Sequence, residues 1–331
     1  MTEVVRGASA EQVKRVLAGC ALVVADETVI KLYPDIARGA YAVPSGEACK
    51  TPDVLFGILA EMSRKSIKRC DTVAALGGGA TGDVTGLAAA LYMRGIAWID
   101  VPTTMLAMVD SSIGGKTAID FCGIKNLVGA FHEPERTVMC YDFLNTLRDR
   151  DKLCGIGEAV KTCLLTKDAY SVLIKNIDLL TKYDESTMRL FIELCSDVKQ
   201  RVVAADARET GLRRILNVGH TVGHALESAD EFKLGHGEYV LKGIMTECEM
   251  LRDYADDTFI DEIISICRAF TSPPKTSAKA VTERAVNDKK NGKESITVML
   301  PTSAGEVCEI ELTAREFSAR YDRAVKSLKN K

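Results

Sequence analysis

The stretch DTVAALGGGATGDVTGLAAALYMRGIAWIDVP, residues 71–102, decides the fold. It opens on a short apolar run, 71–76, that ends at glycines. A helix-like segment follows at 83–94, and a second strand-like run occupies 95–102. Strand, glycine turn, helix and strand in that order imply parallel pairing, because the crossover helix returns the chain to the same end of the sheet. Outward from this unit the pattern repeats. CALVVAD at 20–26 and RTVMCYD at 136–142 read as further strands, and TPDVLFGILAEMSRKSI at 51–67 reads as a helix. The first half is therefore an α/β sheet covered on both faces.

Beyond about residue 147 the period changes. The stretches 157–177, 187–206 and 237–255 carry apolar residues every three to four positions, which predicts helices. SITVMLP (295–301) and EVCEIEL (306–312) predict a strand pair, with a last helix from about Thr313. The expected organisation is a parallel-sheet, dinucleotide-binding α/β domain at 1–147. A mostly helical domain for metal and substrate follows at 148–331.

Composition narrows the function. The 331 residues are 47% apolar or aromatic and 27% charged, enough for about two globular domains. With 43 basic against 46 acidic residues the net charge is −3, which argues against nucleic acid or an anionic membrane as a partner. The 11 cysteines are an odd number with no C-x-x-C spacing, the usage of reduced thiols. The opening MTEVVRGASAEQVKRVL holds an acidic residue at position 3 and no apolar run, so no secretory leader is read. No uncharged apolar run is long enough to span a bilayer. The expectation is a cytoplasmic protein acting on a small molecule.

Gly77-Gly78-Gly79-Ala80-Thr81-Gly82 fits G-x-G-x-x-G between a strand and a helix, where backbone N–H groups can receive a pyrophosphate. A tight strand-to-helix turn wants the same glycines. Asp100 stands at the distance expected for a ribose-binding acid but runs into Pro102-Thr103-Thr104, and Asp26 at the end of the first strand is an equal candidate. Of only four histidines, His220, His224 and His236 fall close together. The first two share a helical face, and the third sits in a glycine-flanked turn. Spacing alone nominates all three as zinc ligands. Lys116, Lys125, Lys161 and Arg213 lie among glycines and apolar residues, where an unpaired charge is costly. Each could reach solvent; together, in an acidic chain, they suit a small polyanion such as a phosphate with a carboxylate.

The segments GGGATGDVTG, VPTTMLAMVDSSIGGKTAID, KNLVGAFHEP, GEAVK, RETGLRRILNVGHTVGHALE and LGHGE occur in an order and spacing that resemble the 3-dehydroquinate synthases of the sugar phosphate cyclase superfamily. The likeness runs from about Asp26 to Pro301. It includes GE-x-x-KT at 46–51 and Asp-Lys-Lys at 288–290. The resemblance implies an enzyme dependent on NAD and on zinc or cobalt, usually a homodimer. Such enzymes convert 3-deoxy-D-arabino-heptulosonate 7-phosphate to 3-dehydroquinate and phosphate, the second step of the shikimate pathway leading to aromatic amino acids. Transient oxidation, phosphate elimination, re-reduction and an intramolecular aldol closure make up the reaction, and NAD is regenerated each turnover.

By the same resemblance the metal ligands are Glu158, His220 and His236, which displaces His224 from the spacing-only set. Glu209, His224, Lys161 and Asp110 take catalytic roles, with Glu209 and His224 as the acid–base pair. Arg94, Lys116, Asn126, Lys199, Arg213, Asn217 and one of Lys289 or Lys290, with Lys290 preferred, bind substrate. Arg94 would reach the neighbouring subunit's phosphate. NAD would contact Asp26, Glu47, Lys50, Gly78, Gly79, Asp83, Thr103, Thr104, Lys125, Phe143 and Thr146. Two departures stand out. Only about 19 residues precede the strand at 20–26 where the family usually has an extra strand pair, which puts the outer sheet edge in question. Gly157 replaces the family's alanine, a change expected to cost a helix interior up to about 1 kcal/mol.

Three other readings compete. Sister cyclases making 2-deoxy-scyllo-inosose or 2-epi-5-epi-valiolone act on neutral sugar phosphates, and Arg213 with Lys199 argues against them as a carboxylate clamp. A polyol dehydrogenase would release NADH, and a non-catalytic paralogue would not need the filled ligand and clamp positions.

Overall fold

The structure is a computed structural model that describes residues 2–209, 211–287 and 295–330. The described residues form two compact units, one within 1–148 and 199–208 and the other within 149–198 and 209–331. The first unit runs β1 (Glu3–Val5), α1 (Ala10–Ala18), β2 (Leu22–Asp26), α2 (Glu27–Leu32), β3 (Tyr41–Val43), α3 (Pro52–Arg64), β4 (Thr72–Gly77), α4 (Gly79–Leu91), β5 (Ala97–Pro102), β6 (Lys116–Phe121), β7 (Ile124–Phe131) and β8 (Arg136–Val138). Six strands form one parallel sheet in the order β1-β8-β5-β4-β2-β3. β6 and β7 form a separate antiparallel ribbon.

The quoted stretch forms β4, α4 and β5, with Val73 opposite Trp98 and Leu76 opposite Val101. The helix begins at Gly79, four residues before the sequence pattern places it. It packs against β4 and β5 on one side and β6 on another, so Val84, Leu87, Ala88 and Ala89 are all buried. That double cover explains its small residues. A Cβ on Gly86 would lie 2.5 Å from Thr117 Cγ2 and 2.8 Å from Trp98 Cζ2.

Other elements differ from expectation. The N-terminal segment supplies β1, which pairs with β8 and makes the outer edge of the sheet. The run at 136–142 gives only three strand residues before turning. The ribbon was not foreseen: Cys122 and Gly123, with φ of 50° and 74°, connect Phe121 to Ile124 in a two-residue hairpin.

The second unit contains α5 (Asp149–Cys163), α6 (Lys167–Leu180), α7 (Glu185–Ala205, whose last residues from Lys199 group with the first unit), α8 (His220–Ala229), α9 (His236–Met250), α10 (Asp257–Arg268), α11 (Ala278–Val286), the hairpin β9 (Ser295–Ser303) and β10 (Glu306–Thr313), and α12 (Ala314–Asn330). The helical period at 157–177 spans two helices, because Thr166 caps a new start through Ala169 N–H at 3.2 Å.

Two crossings dominate this unit's core. A Cβ on Gly157 of α5 would stand 2.1 Å from Gly237 O of α9, and one on Gly237 2.1 Å from Cys154 O. The expected penalty for glycine at 157 is therefore reversed: alanine has no room, and glycine is what lets the two backbones touch. A Cβ on Gly243 would lie 1.9 Å from Gly219 O and 2.8 Å from Gly223 N, so α8 and α9 meet in the same manner.

Candidate active site

The α5–α9 contact brings Glu158 beside His236, the first residue of α9 and not part of a turn as the glycines had suggested. Glu158 is 1% exposed, and its Oε1 lies 3.2 Å from His236 Nε2 and 3.4 Å from His220 Nε2. The ligand atoms of His220, His224 and His236 all fall within 4.8 Å of one another, so proximity does not separate the three imidazoles. Neighbouring groups orient two of the rings. His220 Nδ1 is 3.0 Å from Val218 O, and His236 Nδ1 is 3.3 Å from Glu227 Oε2. When Nδ1 donates in this way, the Nε2 lone pairs of both rings face one carboxylate oxygen. Two imidazoles and a carboxylate with oriented rings fit a divalent ion such as zinc or cobalt. His224 packs edge-on against His220 at 4.9 Å between ring centroids.

The electrostatics follow from burial. Glu158 is pushed upward by burial but held well below the usual carboxylate range by Lys161, with which it forms a buried ion pair, and by His220 and His236. Burial depresses His220 to about 3 against the pull of Glu158. Burial also works against a charge on His236, but Glu158 and Glu227 more than offset it and raise the ring to about 10. A proton on His236 and a bound cation are thus alternative ways to balance the two carboxylates. Glu227 was not singled out from the sequence; its signal was position three after His224, inside HALE.

Elsewhere in the second unit, Arg213 is 2% exposed in the turn before α8. Asn217 Nδ2 donates to Glu209 Oε1 at 3.1 Å, and Glu209 has a left-handed φ of 58°. Lys289 and Lys290 lie outside the described residues.

In the first unit, Gly78 caps α4 and Gly79 starts it, where a Cβ would come within 2.5 Å of Ser111 Oγ. Thr103 N–H donates to Gly77 O at 2.8 Å, and Thr104 Oγ1 accepts from Ala107 N–H at 3.2 Å. Asp83 pairs with the buried Lys50 at 2.6 Å, and Lys50 also donates to Asn126 Oδ1. Burial raises Asp83 to about 6 against the pull of Lys50. Asp26 caps α2, accepting from Thr28 N–H and Ser45 Oγ, each at 2.7 Å. Phe143 is buried edge-on to Tyr33, whose hydroxyl meets Thr146 Oγ1 at 2.8 Å. Glu47, Lys125 and Lys116 are exposed. Lys199 Nζ donates to Asp110 Oδ1 at 2.8 Å and to Asp110 O at 2.5 Å. Arg94 is exposed, and it follows Met93 in a left-handed pair with φ of 67° and 49°.

Solved structures share this fold. The chain superposes with a TM-score of 0.86 and 22% identity on "ValA (2-epi-5-epi-valiolone synthase)" from Streptomyces hygroscopicus subsp. jinggangensis 5008, solved with NAD+ and Zn2+ bound, covering 99% of this chain and 97% of that one. A 2-deoxy-scyllo-inosose synthase complexed with carbaglucose-6-phosphate, NAD+ and Co2+ gives 0.83 and 22%, covering 97% and 96%. At these identities the likeness is one of fold. Sequence carries the assignment further. Family models for the 3-dehydroquinate synthase N-terminal and C-terminal regions match residues 40–154 and 155–291. The 3-dehydroquinate synthase of Ruminiclostridium cellulolyticum is 34% identical over 313 residues, 90% of this chain and 87% of that protein. That of Alkaliphilus metalliredigens is 35% identical over 312 residues, 90% and 88%. The chain belongs to the 3-dehydroquinate synthase family.

Proposed function

We propose that this chain is an NAD- and metal-dependent phosphorus–oxygen lyase that converts 3-deoxy-D-arabino-heptulosonate 7-phosphate to 3-dehydroquinate and phosphate. Family membership over nine-tenths of the chain is the observation that carries this reading. The donor set of buried Glu158 with half-buried His220 and His236 supports it. A zinc or cobalt ion bound there would supply Lewis acidity toward a substrate hydroxyl, and NAD would supply reversible hydride acceptance.

The chain's own residues do the holding. Val218 O and Glu227 fix the two rings, and Lys161 keeps Glu158 ionised. In the first unit the Gly78–Gly79 helix start offers N–H groups to a pyrophosphate. Lys50, Asp83, Asp26, Glu47, Thr103, Thr104, Lys125, Phe143 and Thr146 are assigned to the cofactor. Lys116, Asn126, Lys199, Arg213, Asn217 and Lys290 are assigned to substrate anions and hydroxyls, with Asp110 orienting Lys199. Glu209 and His224 are the acid–base pair. Because a bound substrate is one conformer among many, most of the rate gain is orientation.

A homodimer in the cytoplasm completes the proposal. Phe121, Ile124, Leu127, Val128 and Phe131 are all exposed on the β6–β7 ribbon, apolar surface that a second copy would cover. Arg94, also exposed, is assigned to the partner subunit's phosphate site. Among the described residues no helix is long and apolar enough to cross a membrane.

The test is phosphate release with NAD and zinc present. Release from 3-deoxy-D-arabino-heptulosonate 7-phosphate alone, without net NADH, is the expected result. Release from glucose 6-phosphate or sedoheptulose 7-phosphate instead would make the chain a sister cyclase.

A further inference from the structure

Helix α8 starts without the usual cap. Its N-cap is Gly219, which has a φ of 75° and no side chain to accept from the first turn. A side chain is excluded there: a Cβ would lie 2.4 Å from Ile244 Cγ1 and 2.9 Å from Val240 O, both on α9. The close approach of the two helices has removed the ordinary means of satisfying the helix's first N–H groups.

Glu247, also on α9, takes over that task. Its Oε2 accepts from Gly219 N–H at 2.8 Å and its Oε1 from Val222 N–H at 2.8 Å. Glu247 lies one turn beyond Gly243 on the same helical face, and it is 1% exposed. Burial pushes its carboxyl up, and the N–H groups bonded to both oxygens pull it back toward the ionised form. The bonded amides bracket His220, which occupies the first helical position. His236 stands at the other end of α9, three turns away. One carboxylate therefore ties the start of the helix carrying one imidazole to the helix carrying the other.

We propose that Glu247 is a positioning residue for the Glu158–His220–His236 cluster, holding the first turn of α8 so that His220 keeps its distance from His236. A side-chain cap supplied by α8 itself would stabilise that helix but leave it free to shift along α9. A cap supplied by α9 fixes the two together. The inference rests on the reading that this cluster takes a divalent ion.

Cobalt provides the test, since its visible absorption reports ligand geometry. The metal-stripped full-length chain is titrated with Co2+ beside Glu247→Gln and Glu247→Asp, with far-UV circular dichroism and thermal unfolding as folding controls. Glu247→Gln keeps the shape but turns an amide toward the N–H groups. Its Co2+ affinity is expected to fall by about 10- to 100-fold, the range for outer-shell changes, with a shifted absorption band. Glu247→Asp retains the charge and should recover part of both. A folded Glu247→Gln with wild-type Co2+ affinity and spectrum overturns the inference alone. If Glu247→Gln does not fold, Glu247→Asp decides by the same criteria, and failure of both to fold overturns it, because the residue then serves the fold. No Co2+ binding by the wild-type chain removes the metal reading itself and this inference with it.

Discussion

Replacing Gly157 by alanine is the sharpest probe of how the cluster is built. In an exposed helix the change would be favourable by up to about 1 kcal/mol. Here the added Cβ would meet Gly237 O at 2.1 Å, Gly237 C at 2.5 Å and Gly237 Cα at 2.6 Å, where ordinary contact begins at 3.4 Å. All three are backbone atoms, which cannot swing aside, so α5 and α9 must part by about 1 Å at their crossing, in a core as close-packed as any. Overpacking of this kind costs about 1–3 kcal/mol, and a rigid neighbour places it near the upper end. With the propensity gain subtracted, a net loss of about 2 kcal/mol is expected, or about 4–8 °C in Tm for a unit of this size. The displacement falls next to Glu158 and His236, whose donor atoms are 3.2 Å apart. Zinc or cobalt affinity should therefore drop by about tenfold or more, as when outer-shell support is lost. Differential scanning fluorimetry and competitive metal titration read the two effects separately. A Gly157→Ala chain with an unchanged or raised Tm and undiminished metal affinity would refute the argument.

Two further outcomes are expected. Asp100 is 4% exposed, and burial, with Asp83 nearby, raises it to about 7. A folded-state value above the unfolded one gives a contribution complete below about pH 4 and lost as pH rises through 7, at most on the order of 4 kcal/mol. Urea unfolding of Asp100→Asn should show a flatter pH dependence between pH 5 and 8 and higher stability than wild type at pH 8; parallel curves would contradict it. Arg94→Ala should be inactive alone. Re-pairing it with inactive His236→Ala should restore about a quarter of wild-type activity, since half the random dimers then hold one intact site. Mixtures that stay inactive would remove Arg94 from the partner's site.

The sequence pattern carried the parallel sheet and the helical second half, because β4, α4 and β5 each bury enough residues to leave a clear period. It missed β1 and β3, three residues each, which are too short to show one. The ribbon was hidden because its residues were absorbed into motifs; the Cys122-Gly123 pair between β-prone runs was the available signal. For the cluster, spacing found three histidines but had no means of ranking them, since Glu158 arrives from another helix. Glu227 and Glu247 went unread for the same reason: a carboxylate's partner across a helix crossing leaves no local period. Gly157 was misjudged as a defect because propensity was weighed without knowing what lay opposite.

The glycine crossings also bear on temperature. Contacts among Gly157, Gly237, Gly219 and Gly243 are made by backbone atoms and withdraw little apolar side-chain surface from water. Hydrophobic burial loses strength on cooling, whereas short-range dispersion does not depend on solvent in that way. The backbone contacts themselves therefore contribute little heat-capacity change, whereas the buried apolar residues flanking them, such as Val222, Leu226, Val240 and Ile244, lose strength on cooling as any core does.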